Sequence, residues 1–184
     1  MQSYLITDPA YYTQSPTDFK RVLISAFKKH TPDLALYRDK ESSIYPDLAK
    51  IFISVCQEYK VKAFLHQEIA LAKALGAEGV HLTSKQFEML PKAKAQGLLV
   101  IASTHSEEEI EDAAQKGADM VTYSPIFSTP NKGKAKGLED LQKIVAKISL
   151  PIIALGGITT AEQLKAVEKS GCFAFASIRY FSNT

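Results

Sequence analysis

The stretch SLPIIALGGIT, residues 149–159, decides how this chain is read. Leu150 to Leu155 is an almost unbroken apolar run, too short to span a membrane and suited to a strand buried on both faces. Gly156 and Gly157 end it. Adjacent glycines allow a tight turn and present N–H groups with no side chain in the way, which suits a phosphate as well as an ordinary strand-to-helix turn. The stretch alone leaves both readings open.

The same pattern recurs along the chain. KALGAEGVHL (73–82), KAQGLLVIAS (94–103), QKGADMVTYS (115–124) and EKSGCFAFAS (168–177) each read as the end of a helix, a glycine just past it and a buried strand. Ser106 with Glu109, and Thr160 with Gln163, have the spacing of capping boxes at helix starts. Nearer the front, SYLITD (3–8) and KAFLH (62–66) read as strands, as does DLALYRDK (33–40), whose alternation puts Leu34, Leu36, Arg38 and Lys40 on one face. Helical spacing runs from Thr17 to Lys29 and from Ser43 to Tyr59, the latter with Pro46 in its first turn, and a shorter helix fits Glu68 to Leu75.

Strands near residues 3, 34, 62, 79, 98, 119, 151 and 172, each followed by a helix, predict a compact (β/α)8 TIM barrel, with a doubly wound open sheet as the alternative. After the last strand only SIRYFSNT remains, so the eighth helix is expected to be truncated or missing, and a second copy of the chain in a homo-oligomer would cover that flank. No linker is visible, and residues 1–184 are read as one domain.

Composition narrows the partners. A net charge of +2 with 23% charged residues gives no broad basic field, which argues against nucleic acid or an anionic membrane surface and leaves small anions open. Cys56 and Cys172 fit no metal spacing and no disulfide framework, and are expected to be buried thiols. The opening MQSYLITDPAYY has no signal-peptide pattern, so the expected location is cytoplasmic.

A barrel of this kind carries its site where strands run into the following loops. That turns sequence position into candidates: Asp8, Arg38 to Lys40, His66 to Glu68, Thr83 to Gln86, Ser103 to His105, Ser124 to Lys136, Gly156 to Ile158 and Ala176 to Arg179. Phosphate would sit over the last two ends, on the glycine turn and the N–H groups near Ser177 and Ile178. His81, inside the fourth strand, reads as a hydrogen-bonded core residue, and His30 as a surface one.

YRDK (37–40), GAEGVHL (76–82), STHSEEE (103–109), SPIFSTPNKGKAKGLEDL (124–141) and ALGGIT (154–159), in this order, resemble the thiamine phosphate synthase / TenI family. The resemblance covers nearly the whole chain. It implies a site for a thiazole phosphate, a small phosphorylated heterocycle, held through Thr129, Gly137, Gly156, Gly157 and the backbone at Ile178 and Arg179. Lys132 follows the matched TPN segment, and Ser103, Arg38 and Lys40 are further binding or catalytic candidates.

Departures from the family pattern separate its chemistries. The synthases hold magnesium and a pyrimidine diphosphate through an Asn-Asp pair after the third strand and an Asp after the fourth. Here His66 and Gln67 stand at the first place and Lys85 and Gln86 at the second. Magnesium prefers carboxylate oxygens, so these are poor replacements. Leu36 stands where the synthases carry a glutamine, and Arg179 where the family has a small residue. His105 is kept, and the resemblance to TenI-type members implies that it is the acid and base of a thiazole tautomerisation. The expected function is therefore a metal-independent thiazole tautomerase with no cofactor. A thiamine phosphate synthase with an altered magnesium site, and a non-catalytic thiazole phosphate-binding protein, are the alternatives.

Overall fold

A computed structural model describes residues 1–13, 15–130 and 132–182. Eight parallel strands close into a barrel in sequence order: β1 (Gln2–Ile6), β2 (Leu34–Tyr37), β3 (Lys62–His66), β4 (Gly79–Leu82), β5 (Leu99–Thr104), β6 (Met120–Tyr123), β7 (Ile152–Leu155) and β8 (Ala174–Ser177). β8 returns to β1, with Tyr4 opposite Ala176. Between them run α1 (Pro16–His30), α2 (Tyr45–Tyr59), α3 (Ile69–Leu75), α4 (Leu90–Ala95), α5 (Glu107–Gln115), α6 (Leu138–Lys147) and α7 (Ala161–Glu168), and α8 (Arg179–Ser182) closes the order. The barrel is the fold that the strand count predicts. The open-sheet alternative is excluded by the β1–β8 pairing.

Two apolar layers hold it. Inside the barrel, Tyr4, Leu34, Phe64, Ile101 and Ile153 pack with smaller neighbours, while the other face of each strand packs on the helices through residues such as Leu5, Ala35, Leu65 and Val121. Strand alternation sends consecutive residues to opposite sides, which is why the strands read as continuous apolar runs. β4 is the exception inside, contributing His81, whose partners across the ladder are His66 and Ile101. Cys56 and Cys172 are buried free thiols.

Several boundaries differ from the sequence expectations for physical reasons. β1 stops at Ile6 and β2 at Tyr37, earlier than 8 and 40, because side chains take over the ladder. The Arg38 N–H donates to Thr7 Oγ1 at 2.9 Å, and Asp39 Oδ1 accepts from the N–H groups of Glu41 and Ser42 to turn the chain. A 3-10 helix, Ser84–Met89, precedes α4, and the sequence pattern did not announce it. Its start is a capping box in which Gln86 Oε1 accepts from Thr83.

The eighth helix is a stub, as the short tail predicts. Its Phe181 is buried, stacked on Phe175 and edge-on to His30 at the end of α1. Gly76, at the end of α3, takes the positive φ of 67° that the repeated glycine pattern calls for. Among the described residues, no helix is long and apolar enough to cross a membrane.

Candidate functional site

At the C-terminal mouth of the barrel lies a cavity of about 480 Å³. That is the size range of small-molecule sites. β2 sends Arg38 and Lys40 into it, β3 His66, β5 Ser103 and His105, and the β6 loop Thr129 and Lys132. Gly156, Gly157, Ile178 and Arg179 line it as well. Eleven of the fourteen residues singled out by sequence thus share one cavity.

Three do not line it. Gly137 caps α6, and its N–H is already engaged with the Ile126 carbonyl at 3.0 Å. Gln67 takes a φ of 68° one residue past β3, and its N–H donates to the His81 carbonyl at 3.1 Å. Since His66 faces inward, the next residue is carried to the other side. Gln86 is turned back to cap Thr83.

The glycine turn meets the steric reading directly. Gly156 and Gly157 have φ of 102° and 72°, and a Cβ on them would lie 2.8 Å from Pro125 Cα and 2.7 Å from Phe127 Cβ. The turn must therefore be glycine simply to fit against the β6 loop, which it binds through Phe127 N–H to Gly156 O at 3.0 Å. Yet the N–H groups of Gly157, Ile158, Ile178 and Arg179 donate to no acceptor among the described residues. All four residues border the cavity. Unpaired N–H groups at two adjacent strand ends have the chemistry to receive an anion. The Thr129 hydroxyl contributes less than expected, because it donates to Phe127 O at 3.0 Å.

His105 lines the same cavity. Its N–H donates to Glu109 Oε2 at 2.6 Å, so the side chain expected to complete the cap at Ser106 instead grips the histidine backbone. Ser106 Oγ accepts from Glu109 N–H at 3.2 Å, as its spacing predicts. His105 Nδ1 lies 3.1 Å from the Ser124 carbonyl and 3.2 Å from Ser124 Oγ. A carbonyl only accepts, so Nδ1 carries a ring proton, and in the neutral tautomer Nε2 holds the lone pair.

The remaining charges are arranged without a metal set. Arg38 Nη1 pairs with Asp8 Oδ2 at 3.4 Å. Burial, aided by the Arg38 and Lys40 cations, lowers the His66 pKa to about 4, which leaves its ring neutral. Magnesium, which the resemblance implies for synthases, does not fit the residues present. The third strand end offers one neutral imidazole and an outward glutamine, and the fourth a glutamine whose oxygen is engaged. Among the described residues no three His, Cys, Asp or Glu side chains gather into a metal-binding group.

Sequence reasoning missed His81 as a site residue. It is a hydrogen-bonded core residue, as read, but it also lines the cavity floor. Its inward register beside His66 is the signal that could have found it. Tyr11 also lines the cavity, outside every strand-end candidate range, and no motif marks it.

Known proteins place this geometry. The chain is 33% identical over 183 residues to a putative thiamine-phosphate synthase 2 of Aquifex aeolicus, covering 97% of this chain and 96% of that one. It is 28% identical over 180 residues to the thiamine-phosphate synthase of Caldivirga maquilingensis, covering 95% and 85%. The solved thiamine phosphate pyrophosphorylase from Pyrococcus furiosus superposes with a TM-score of 0.84 at 28% identity, over 96% of this chain and 85% of that one. The family profile described as thiamine monophosphate synthase matches residues 3–181. With that span of the chain matched and the barrel mouth built as described, the chain belongs to the thiamine monophosphate synthase family.

Proposed function

We propose that the barrel mouth binds a thiazole phosphate and that His105 moves a proton on its ring without a metal. The observation that carries the reading is the His105 Nδ1 contact with the Ser124 carbonyl, which leaves Nε2 as the available base on a residue that borders the same cavity as the unpaired N–H groups. The phosphate would rest on the N–H groups of Gly157, Ile158, Ile178 and Arg179, with the Arg179 and Lys132 side chains adding charge. With the ligand so held, Nε2 takes a proton from one ring carbon, and the imidazolium returns it to another as the double bond shifts. The Ser124 carbonyl keeps the ring oriented throughout.

A second reading is the transferase, which joins a pyrimidine diphosphate to the thiazole phosphate. The names of the relatives favour it over the isomerase, since they describe thiamine-phosphate synthases. Arg38 and Lys40 would then meet the diphosphate. Against it stands the donor chemistry at the third and fourth strand ends, where no carboxylate group is positioned for magnesium.

The two readings part in one experiment. The purified protein is incubated with the thiazole phosphate tautomers, with and without the pyrimidine diphosphate and magnesium, and both products are followed. Interconversion that survives a chelator is expected. Magnesium-dependent diphosphate release without interconversion would overturn the isomerase in favour of the transferase.

A further inference from the structure

The floor of the cavity contains a buried polar chain that neither reading uses. Tyr4 OH lies 3.0 Å from His81 Nδ1, and His81 Nε2 lies 2.9 Å from Ser103 Oγ. Tyr4 and His81 are 0% and 3% exposed, and Ser103 borders the cavity. Three strands, β1, β4 and β5, thus deliver one connected line of hydroxyl, imidazole and hydroxyl from the barrel interior to its mouth.

The direction of this line follows from satisfaction. Burial keeps the Tyr4 hydroxyl protonated and holds His81 neutral, with its pKa lowered to about 3. Tyr4 OH has no other acceptor among the described residues. If Nδ1 carried the ring proton, the tyrosine proton would be buried without a partner, a cost that the opposite arrangement avoids. Tyr4 therefore donates to Nδ1, and Nε2–H donates to Ser103 Oγ. The serine oxygen then accepts from below, and its own proton has no acceptor among the described residues and is left for the cavity.

We propose that Tyr4 and His81 are positioning residues that hold Ser103 as a hydrogen-bond donor into the cavity, so that Ser103 selects a ligand bearing an acceptor at that point, such as a ring nitrogen or a ring-bound carboxylate. The ligand half of this proposal rests on the thiazole phosphate reading. The protein half does not. A hydroxyl with both lone pairs open serves donors and acceptors alike, whereas one whose oxygen already accepts from an imidazole N–H is biased toward donating.

Two measurements test it. The first is the ring nitrogen-15 spectrum of His81 in the ligand-free protein, identified as the signal lost in His81→Gln. The Nε2–H tautomer is expected from pH 6 to 8, with a mixture of tautomers in Tyr4→Phe; an Nδ1–H tautomer in the parent protein overturns the relay. The second is calorimetric affinity for thiazole phosphate. Ser103→Ala and Tyr4→Phe should each weaken it roughly 3- to 10-fold, the double variant no more than the worse single one, and Ser103→Thr should restore binding. Additive losses, or no loss in Ser103→Ala, overturn the selection role. A parent protein that binds no thiazole phosphate defeats the functional reading and the ligand half together, while the nitrogen spectrum still decides the relay.

Discussion

His105 Nδ1 and the main-chain oxygen of Ser124 lie 3.1 Å apart across the seam between β5 and β6. One strand supplies the ring and its neighbour selects the nitrogen left free. His105→Ala should abolish turnover while leaving thiazole phosphate affinity within about 3-fold, because the phosphate cradle is built from other strand ends. Steady-state rates paired with calorimetry check this. Unchanged turnover removes the histidine from the chemistry.

The glycine turn should tolerate no side chain. Gly157→Ala forces a φ of 72° on alanine and drives its Cβ to 2.7 Å from Phe127 Cβ and 2.9 Å from Ser128 O. A loss of about 2 kcal/mol in stability is expected, together with weaker binding of phosphate. Thermal unfolding and phosphate titration report the two effects separately. A variant as stable as the parent would show that the turn relaxes freely.

Acid should weaken the fold through its two neutral interior histidines. His66 and His81 have folded pKa values near 4 and 3, against about 6.5 in the unfolded chain. Between those limits the unfolded chain binds more protons, so stability rises with pH. The contribution is fully present above about pH 6.5 and is lost as pH falls toward 4, at up to about 1.4 kcal/mol per unit for each histidine. Urea unfolding at a series of pH values measures the slope. A flat profile from pH 5 to 7 contradicts the assignment.

At the opposite end of the barrel, charge serves structure alone. Asp119 accepts from Lys94 Nζ at 2.6 Å and from the buried N–H of Val100 at 2.7 Å. Asp119→Ala leaves that N–H without a partner and should cost about 1–3 kcal/mol. Ligand affinity should be unaltered, since the site lies at the other rim. A change in affinity without a change in stability would reverse the roles of the two ends.

The sequence carries the barrel in a form that is easy to read and the site in one that is not. The glycine before each later strand and the apolar runs follow directly from backbone geometry, so the strand order is legible. The site depends on parity. His66 enters the cavity and Gln67 leaves it because they are neighbours on alternating sides, and a list of strand-end residues cannot separate them. Gly137 matches the family's phosphate loop in sequence, while its N–H is bound to Ile126 O in the folded chain. Gln86 and Glu109 were diverted by caps whose geometry only the folded chain shows. His81 was read correctly as satisfied, but satisfaction hid which way its hydrogen bonds point.

The joint between β8 and β1 also governs what a partial chain can do. Residues 2–5 pair with residues 174–177, and the cradle's last N–H groups belong to Ile178 and Arg179. A fragment ending before Ala174 would leave the strand rims of both β1 and β7 bare, each able to recruit a strand from another molecule. Loss of the final segment thus removes part of the proposed anion grip and creates two adhesive borders at once, so such fragments are expected to clump rather than persist as idle monomers.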